Sequence, residues 1–297
     1  MITDGKFTVD GMEHKLRNIF VFGDTVKWEK QERDCLEKLF CQARQHKIRI
    51  WRAEKCGLEE AFAELKKQNK ASLAVVSDWC TLKRVKELSA ATLYFLKKDE
   101  SVFGADMAVE SFQEITVMFL QKVFCRHHSI PWTVLKTKQC ILREAVPEDL
   151  CSFYDIYRQP SVKPWVEPMS EDFQQEQERL KSYIQTQYVF YDYGTWTIID
   201  KDTGAVIGRC GLEPGKDGVQ MGYLIREEYR CRGIAREVCS AVLTYAADEL
   251  QLPEIKLYID PANTASVLFA QSIGFHWYDS YVQGSMPVDV YMKTLLF

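Results

Sequence analysis

Val219-Gln220-Met221-Gly222-Tyr223-Leu224-Ile225-Arg226-Glu227-Glu228-Tyr229-Arg230-Cys231-Arg232-Gly233-Ile234-Ala235-Arg236 reads as a strand that passes through a short loop into a helix. The loop carries Arg230, Gly233 and Ala235 in the spacing R-x-x-G-x-A. That arrangement suits a diphosphate. A helix start offers backbone N–H groups without intrahelical acceptors, and a partial positive charge. Gly233 and Ala235 lack bulk, so an anion approaches the backbone closely. Arg230, Arg232 and Arg236 add cationic charge around the same point. Taken alone, the stretch reads equally well as a merely basic helix start.

The surrounding elements narrow the choice. A helix from Gly233 to Leu250 is amphipathic, with Ala235, Cys239, Val242, Ala246 and Leu250 on one face. A strand at Ile255–Ile259 and a short helix at Ala265–Ser272 follow, then strands at Phe275–Val282 and Val288–Leu296. Upstream, Thr195–Ile199 and Ala205–Leu212 flank the turn Asp200-Lys201-Asp202-Thr203-Gly204, a hairpin signal. Before them lie a strand at Gln139–Ala145, a helix opened by Pro147-Glu148-Asp149-Leu150, and a polar helix at Glu171–Gln187. The order from residue 139 is β-α-α-β-β-β-α-β-α-β-β.

With that order in place, the stretch from Arg230 to Ala235 resembles the acyl-CoA loop, R/Q-x-x-G-x-G/A, of GNAT N-acetyltransferases. Asn263 to Phe275 (NTASVLFAQSIGF) resembles the same family's N-x-x-S/A…G-F segment. Leu142 to Leu150 (LREAVPEDL) is similar to the branch containing the ribosomal-protein-alanine N-acetyltransferases, a branch that also includes enzymes acting on small amines. The resemblance spans residues 139–297. It implies a GNAT fold, a mixed central sheet flanked by helices. It implies transfer of an acetyl group from acetyl-CoA, as co-substrate and with no metal, to a primary amine of a protein N-terminus or small molecule.

Residue roles follow from the same resemblance. Backbone groups of Tyr223, Leu224 and Ile225 should pair with the pantetheine arm of coenzyme A like an added strand, which requires their strand to splay from its neighbour. N–H groups of Cys231, Arg232, Gly233, Ile234, Ala235 and Arg236 should hold the diphosphate. Asn263 should hydrogen-bond the cofactor near the thioester, with Ser266 as a further contact; Asn263 also reads as an ordinary helix N-cap. Two positions depart from the family pattern. Gln220 stands where some relatives carry Glu, and Gln cannot take a proton. Ala270 stands where some relatives carry an acidic Tyr. The side-chain candidate for catalysis is Tyr258, on the strand before Asn263, where some relatives place a carboxylate; it also reads as a core aromatic. These departures keep open a second reading, a CoA-binding sensor with little catalysis.

The N-terminal part alternates differently. Strands are expected at Arg17–Phe22, Ile48–Trp51, Ser72–Val76, Ala91–Phe95 and Met107–Val109. Helices are expected at Lys30–Gln45, Leu58–Gln68, Leu82–Leu88 and Phe112–Phe124. Such β/α alternation argues for a parallel, Rossmann-like sheet. Ser72 to Ile115 resembles the later half of a haloacid-dehalogenase-like domain, ending in Gly104-Ala105-Asp106-Met107-Ala108-Val109. That family's chemistry needs a D-x-D motif after its first strand, whereas Phe22-Gly23-Asp24-Thr25 holds one Asp. Residues 1–126 therefore read as a non-catalytic α/β domain, 127–138 as a connector and 139–297 as the GNAT domain. His127 and His128, at a helix end, read as capping or surface residues.

Composition sets the outer bounds. The 297 residues suit two domains, and 46% hydrophobic with 27% charged residues is ordinary for a globular chain. A net charge of -4 gives no electrostatic footprint for nucleic acid, which would need a basic domain or stripe, and there is no polybasic membrane patch, so neither is expected as a partner. Met1 to Lys6 does not open a signal peptide and no apolar run is long enough to span a membrane, so a cytoplasmic location is expected. The 10 cysteines show no C-x-x-C spacing and read as small buried hydrophobes in a reducing compartment. The identity of the acceptor amine and the oligomeric state are not legible.

Overall fold

The structure, a computed structural model, describes residues 15–23, 25, 28–97, 100–284 and 286–295. Asp24, on which the reading of a degenerate nucleophile motif turns, lies outside the described residues, as do Met1 to Lys6 and the expected strand end Leu296. The chain divides into two compact units, Met1–Trp132 and Thr133–Phe297.

The first unit runs β1 (Asn18–Val21), α1 (Lys30–Gln45), β2 (Arg49–Arg52), α2 (Ala53–Cys56), α3 (Leu58–Gln68), β3 (Ser72–Val76), α4 (Trp79–Glu87), β4 (Ala91–Phe95), β5 (Met107–Val109) and α5 (Val117–His127). Its strands form a wholly parallel sheet in the order β2-β1-β3-β4-β5. Every residue of β1, β3 and β4 is buried, as continuous apolar runs in a covered parallel sheet must be.

The last helix starts at Val117, later than its apolar pattern suggests, because the Thr116 hydroxyl caps it by accepting from the Phe119 N–H at 3.1 Å. Phe112 instead anchors the preceding loop. Its N–H donates to Glu32, and its ring packs on Trp28 and Phe95. His127 is no surface cap. Its Nδ1 lies 2.9 Å from Asp106 Oδ1 and its Nε2 lies 3.3 Å from the Ser89 carbonyl. The other Asp106 oxygen accepts from the Thr92 N–H and hydroxyl, each at 2.7 Å. The pair thus ties α5 to β4 and to the entry of β5.

The second unit runs β6 (Thr133–Lys136), β7 (Cys140–Arg143), α6 (Leu150–Tyr157), α7 (Phe173–Tyr191), β8 (Thr195–Asp200), β9 (Val206–Gly215), β10 (Gly218–Ile225), α8 (Ile234–Asp248), β11 (Glu254–Ile259), α9 (Thr264–Ser272), β12 (His276–Gln283) and β13 (Met286–Thr294). The sheet order is β12-β13-β11-β10-β9-β8-β7-β6, antiparallel at every step but β10–β11. Thr133–Lys136, within the stretch read as connector, is the edge strand of this mixed sheet.

α8 buries Ile234, Val238, Cys239, Val242, Leu243 and Ala246, and Cys239 Sγ meets Cys210 Sγ of β9 at 3.9 Å. Cys239, Val242 and Ala246 are the core residues read from the sequence, whereas Ala235 and Leu250, read on the same face, are only half-buried, and Ile234, Val238 and Leu243 complete the face in their place. Glu237, in the first turn, accepts from the Gln139 N–H and side-chain amide, each at 2.7 Å, and so fastens the helix start to the entry of β7. Among the described residues no helix is long and apolar enough to cross a membrane.

Candidate active site

β10 has two unlike edges. Toward β9 its register is continuous, from Gly218 opposite Gly215 to Ile225 opposite Gly208. Toward β11 the ladder holds a single pair, Gln220 with Lys256. Past that pair a cleft of about 350 Å³ lies between the strands. The Arg226 N–H donates to the Ile207 carbonyl on the β9 side at 2.7 Å. Strand alternation therefore turns the N–H and C=O groups of Tyr223 and Ile225 toward the cleft. There the Ile225 carbonyl accepts from Arg230 Nε at 3.0 Å, which folds the loop back against the strand end.

The loop into α8 contains two left-handed residues, Cys231 (φ 60) and Gly233 (φ 77). Such a conformation turns successive N–H groups into one concavity, the geometry of an anion nest. Gly233 is the N-cap of α8 and supplies no side-chain cap, so the first N–H groups of the helix, on Ile234, Ala235 and Arg236, have no acceptor from the helix itself. A β-carbon built on Gly233 meets nothing within 4 Å, so the space beside the loop is open. The arginines divide. Arg230 lines the cleft. Arg236 is held by the Ser272 carbonyl and hydroxyl, each at 2.9 Å, and Arg232 lies over the Tyr229 ring.

Of the residues singled out in the sequence, Tyr223, Leu224, Ile225, Ala235, Tyr258, Asn263 and Ser266 line this one cleft. Cys231, Arg232, Gly233, Ile234 and Arg236 stand outside its lining, with Ile234 buried in the core. Asn263 caps α9, its Oδ1 accepting from the Ser266 N–H at 3.2 Å. Tyr223 donates to the Ser266 carbonyl at 3.5 Å and packs edge-on to Phe269; burial pushes its phenol up to about 12. Tyr258 is half-buried rather than a core residue, and its ring meets Tyr281 edge-on at 6.4 Å. Burial raises its phenol above the ordinary value. Ala270 is fully buried, and Gln220 is absent from the cleft lining.

The structure adds a wall that the sequence did not disclose. Ser161, Val162, Trp165 and Val166, between α6 and α7, close one side of the cleft. Trp165 ends a 3₁₀ turn in which its N–H donates to the Val162 carbonyl at 2.9 Å. The available signal was a tryptophan among Pro160, Pro164 and Pro168, in a segment with no period of its own.

The mixed sheet thus parts beside its one parallel pair, and Ala235, in the first turn of α8, lines the gap. Residues 139–276, within the second unit, match the family described as Acetyltransferase (GNAT) domain. Over 107 residues the chain is 31% identical to YkkB of Bacillus subtilis (strain 168), described as uncharacterized, covering 35% of this chain and 62% of that protein. It is 29% identical over 108 residues to p20 of Bacillus licheniformis, described as an uncharacterized N-acetyltransferase, covering 34% and 61% respectively. The chain thus spans about three fifths of the length of these curated relatives. A crystal structure of the acetyltransferase from Agrobacterium tumefaciens str. C58 superposes with a TM-score of 0.47 at 23% identity, covering 55% of this chain and 95% of that one.

Proposed function

We propose that this protein transfers an acetyl group from acetyl-CoA to a primary amine by direct attack of the amine on the thioester. The observation that carries the proposal is the parting of β10 from β11 after the Gln220–Lys256 pair, which turns strand backbone toward an open cleft. When bound, acetyl-CoA supplies an activated acyl group. The work assigned to the chain is binding, orientation and proton handling. Tyr223 and Ile225 hold the pantetheine arm through backbone hydrogen bonds, while Leu224, expected to share that role, turns its N–H and C=O toward β9 and lines the cleft without them. The N–H groups from Cys231 to Arg236 hold the diphosphate. Asn263 and Ser266, at the start of α9, contact the cofactor near its reactive end. Tyr258, like any phenol, holds its proton at neutral pH and, lining the cleft, serves as a donor to the leaving thiolate. In this reading the second unit, from Thr133 on, carries the chemistry, and the first unit, to Trp132, is non-catalytic.

One observation favours a second reading. Ala270 is buried and Gln220 lies outside the cleft lining, so neither position supplies an acid or base there. A CoA-binding module without turnover would look the same. Release of free thiol from acetyl-CoA, measured with a panel of α-amino peptides, lysyl peptides and small amines, separates the two. Amine-dependent release supports the transferase. Binding of acetyl-CoA with no amine-dependent release overturns it in favour of the module.

A further inference from the structure

The net charge of -4 averages over two units of opposite sign. Residues 1–132 hold 22 Lys and Arg against 19 Asp and Glu; residues 133–297 hold 16 against 23. The excess of cations in the first unit is gathered at one end of its sheet, where the parallel strands begin. The Arg49 N–H donates to the Arg17 carbonyl and the Arg17 N–H to the Ala71 carbonyl, each at 2.8 Å. Those bonds set the entries of β2, β1 and β3 side by side, at strand spacings of about 4.8 Å. Arg49, Arg17 and Lys70 thus form a row across the sheet end. Lys15 precedes it, and Arg44, in the last turn of α1, and Lys47, in the turn from α1 to β2, flank it. All six are exposed.

This end is unbalanced. Among the described residues none of the six forms an ion pair. Glu64, which attracts Arg49, is itself bridged to Lys67 at 3.1 Å. Arg44, Lys47 and Arg49 also share a surface concavity of about 480 Å³ with Ile48, Ile50 and Trp51.

We propose that this strand-entry end of the first unit binds the phosphate backbone of nucleic acid. A row of Arg and Lys that forms no ion pair among the described residues is the electrostatic footprint that such binding needs. An acidic protein partner fits less well, because a protein interface has an apolar centre. The large exposed apolar side chains of this unit are Leu58, Trp79, Phe103 and Met118. Leu58, Trp79 and Met118 open helices that follow the far ends of strands; Phe103 precedes β5 at the same end of the sheet as the row, but two strands away from β3, so it stands as a lone apolar side chain beside the row and makes no apolar centre. Trp51 stacks on Phe20 and donates to Asn18, so it is not presented to bases. Contact is therefore with phosphates and independent of base sequence.

The test is fluorescence anisotropy of the full chain with a labelled 20-nucleotide single-stranded RNA, and with DNA of the same sequence, at 50 and 200 mM salt. Four phosphate contacts on a single strand predict roughly a fiftyfold loss of affinity between those salts. Binding of either nucleic acid with such a salt dependence supports the proposal. Arg44→Glu with Lys70→Glu should weaken binding at least tenfold. Lys55→Glu with Lys83→Glu, the same charge change away from the row, should leave it nearly unchanged. If the first pair fails to fold, Arg44→Gln with Lys70→Gln should flatten the salt dependence. No binding of either nucleic acid at 50 mM salt, equal losses in both pairs, or binding of polyglutamate alone would each overturn it, the last in favour of an acidic protein.

Discussion

Gln220 pairs with Lys256, and among the described residues no second pair joins β10 to β11. Lys256 is buried, and its ammonium donates to the Asp217 carbonyl at 2.6 Å and lies 3.4 Å from Glu254. The entry of β10 is thereby fastened to β11. Further along, β11 keeps its register with β13 to Ile259, and β10 keeps its register with β9 to Ile225. Each strand stays with its outer partner, so the gap between them is built into the sheet and does not require a ligand to force it open.

Acetyl-CoA should stabilise the second unit. A ligand at 100 times its dissociation constant adds about 2.7 kcal/mol, or roughly 5–10 °C in the midpoint for a unit of this size. Gly233 refines the test. At φ 77 both Asn and Asp are tolerated better than other side chains, they are nearly equal in size, and they differ by one charge. Gly233→Asn should retain much of the shift and Gly233→Asp should lose it. Equal shifts in the two variants would remove the diphosphate from this loop.

Gly208 tests the strand itself. A β-carbon there would lie 2.1 Å from the Leu224 carbonyl oxygen, a backbone atom with no freedom to rotate away. Gly208→Ala should therefore displace β10 where it borders the cleft. We expect a loss of about 2 kcal/mol or more in stability and a weaker acetyl-CoA shift in the folded fraction. Denaturant titration with and without acetyl-CoA checks both, and a variant as stable as the parent would show that β10 moves freely.

Much of the second unit was legible because its signals are local. A strand, a glycine loop, an apolar helix face and an Asn before a short helix each declare themselves within a few residues. What escaped has long-range causes. Trp165 joins the cleft only through packing of a segment without period. Cys231 adopts φ 60, which no property of cysteine announces. β6 is four residues long, too short to show an alternation beside its turn. Ala235 was placed on the core face, whereas the helix turns Ile234 inward. The cationic row of the first unit joins residues from 15 to 70, which only parallel strand pairing brings together.

The Asp106–His127 pair makes the first unit's stability depend on pH. The Asp106 bond raises the His127 pKa from its ordinary 6.5, against opposing effects of burial and of Lys86. Burial pushes Asp106 up, but bonds from His127 and Thr92 outweigh it and leave the carboxyl below its ordinary 3.8. A raised histidine contributes fully below its unfolded value and loses the contribution as pH rises through the folded one. A lowered carboxylate contributes above its unfolded value and loses the contribution as pH falls through the folded one. The pair should therefore stabilise most between about pH 4 and 6.5. His127→Gln should cost about 1–3 kcal/mol in that window, since it leaves a half-buried carboxylate short of a partner, and much less at pH 9. Denaturant midpoints at pH 5.5 and 9 check this; a loss that is the same at both would mean that His127 acts through packing alone.

Tyr258 decides how protons move in the proposed reaction. An ammonium has no lone pair, so the acceptor must lose a proton before attack, and the leaving thiolate must gain one. An α-amino group has an ordinary pKa of about 7.7–8.0 and a lysine about 10.4, so an α-amine is already partly neutral near pH 7. The thiolate is the harder demand. Tyr258 lines the cleft, half-buried, and its hydroxyl makes no hydrogen bond among the described residues. A phenol is protonated at neutral pH, which suits a donor and not a base. Groups of this kind contribute typically 10²–10⁴-fold. Tyr258→Phe should therefore lower kcat at least about tenfold while the acetyl-CoA thermal shift is retained, because the ring and the cleft shape survive. Gln220→Ala should cost less, since Gln220 is outside the lining. Turnover unchanged in Tyr258→Phe would assign reprotonation of the thiolate to solvent and leave Tyr258 as a wall of the cleft.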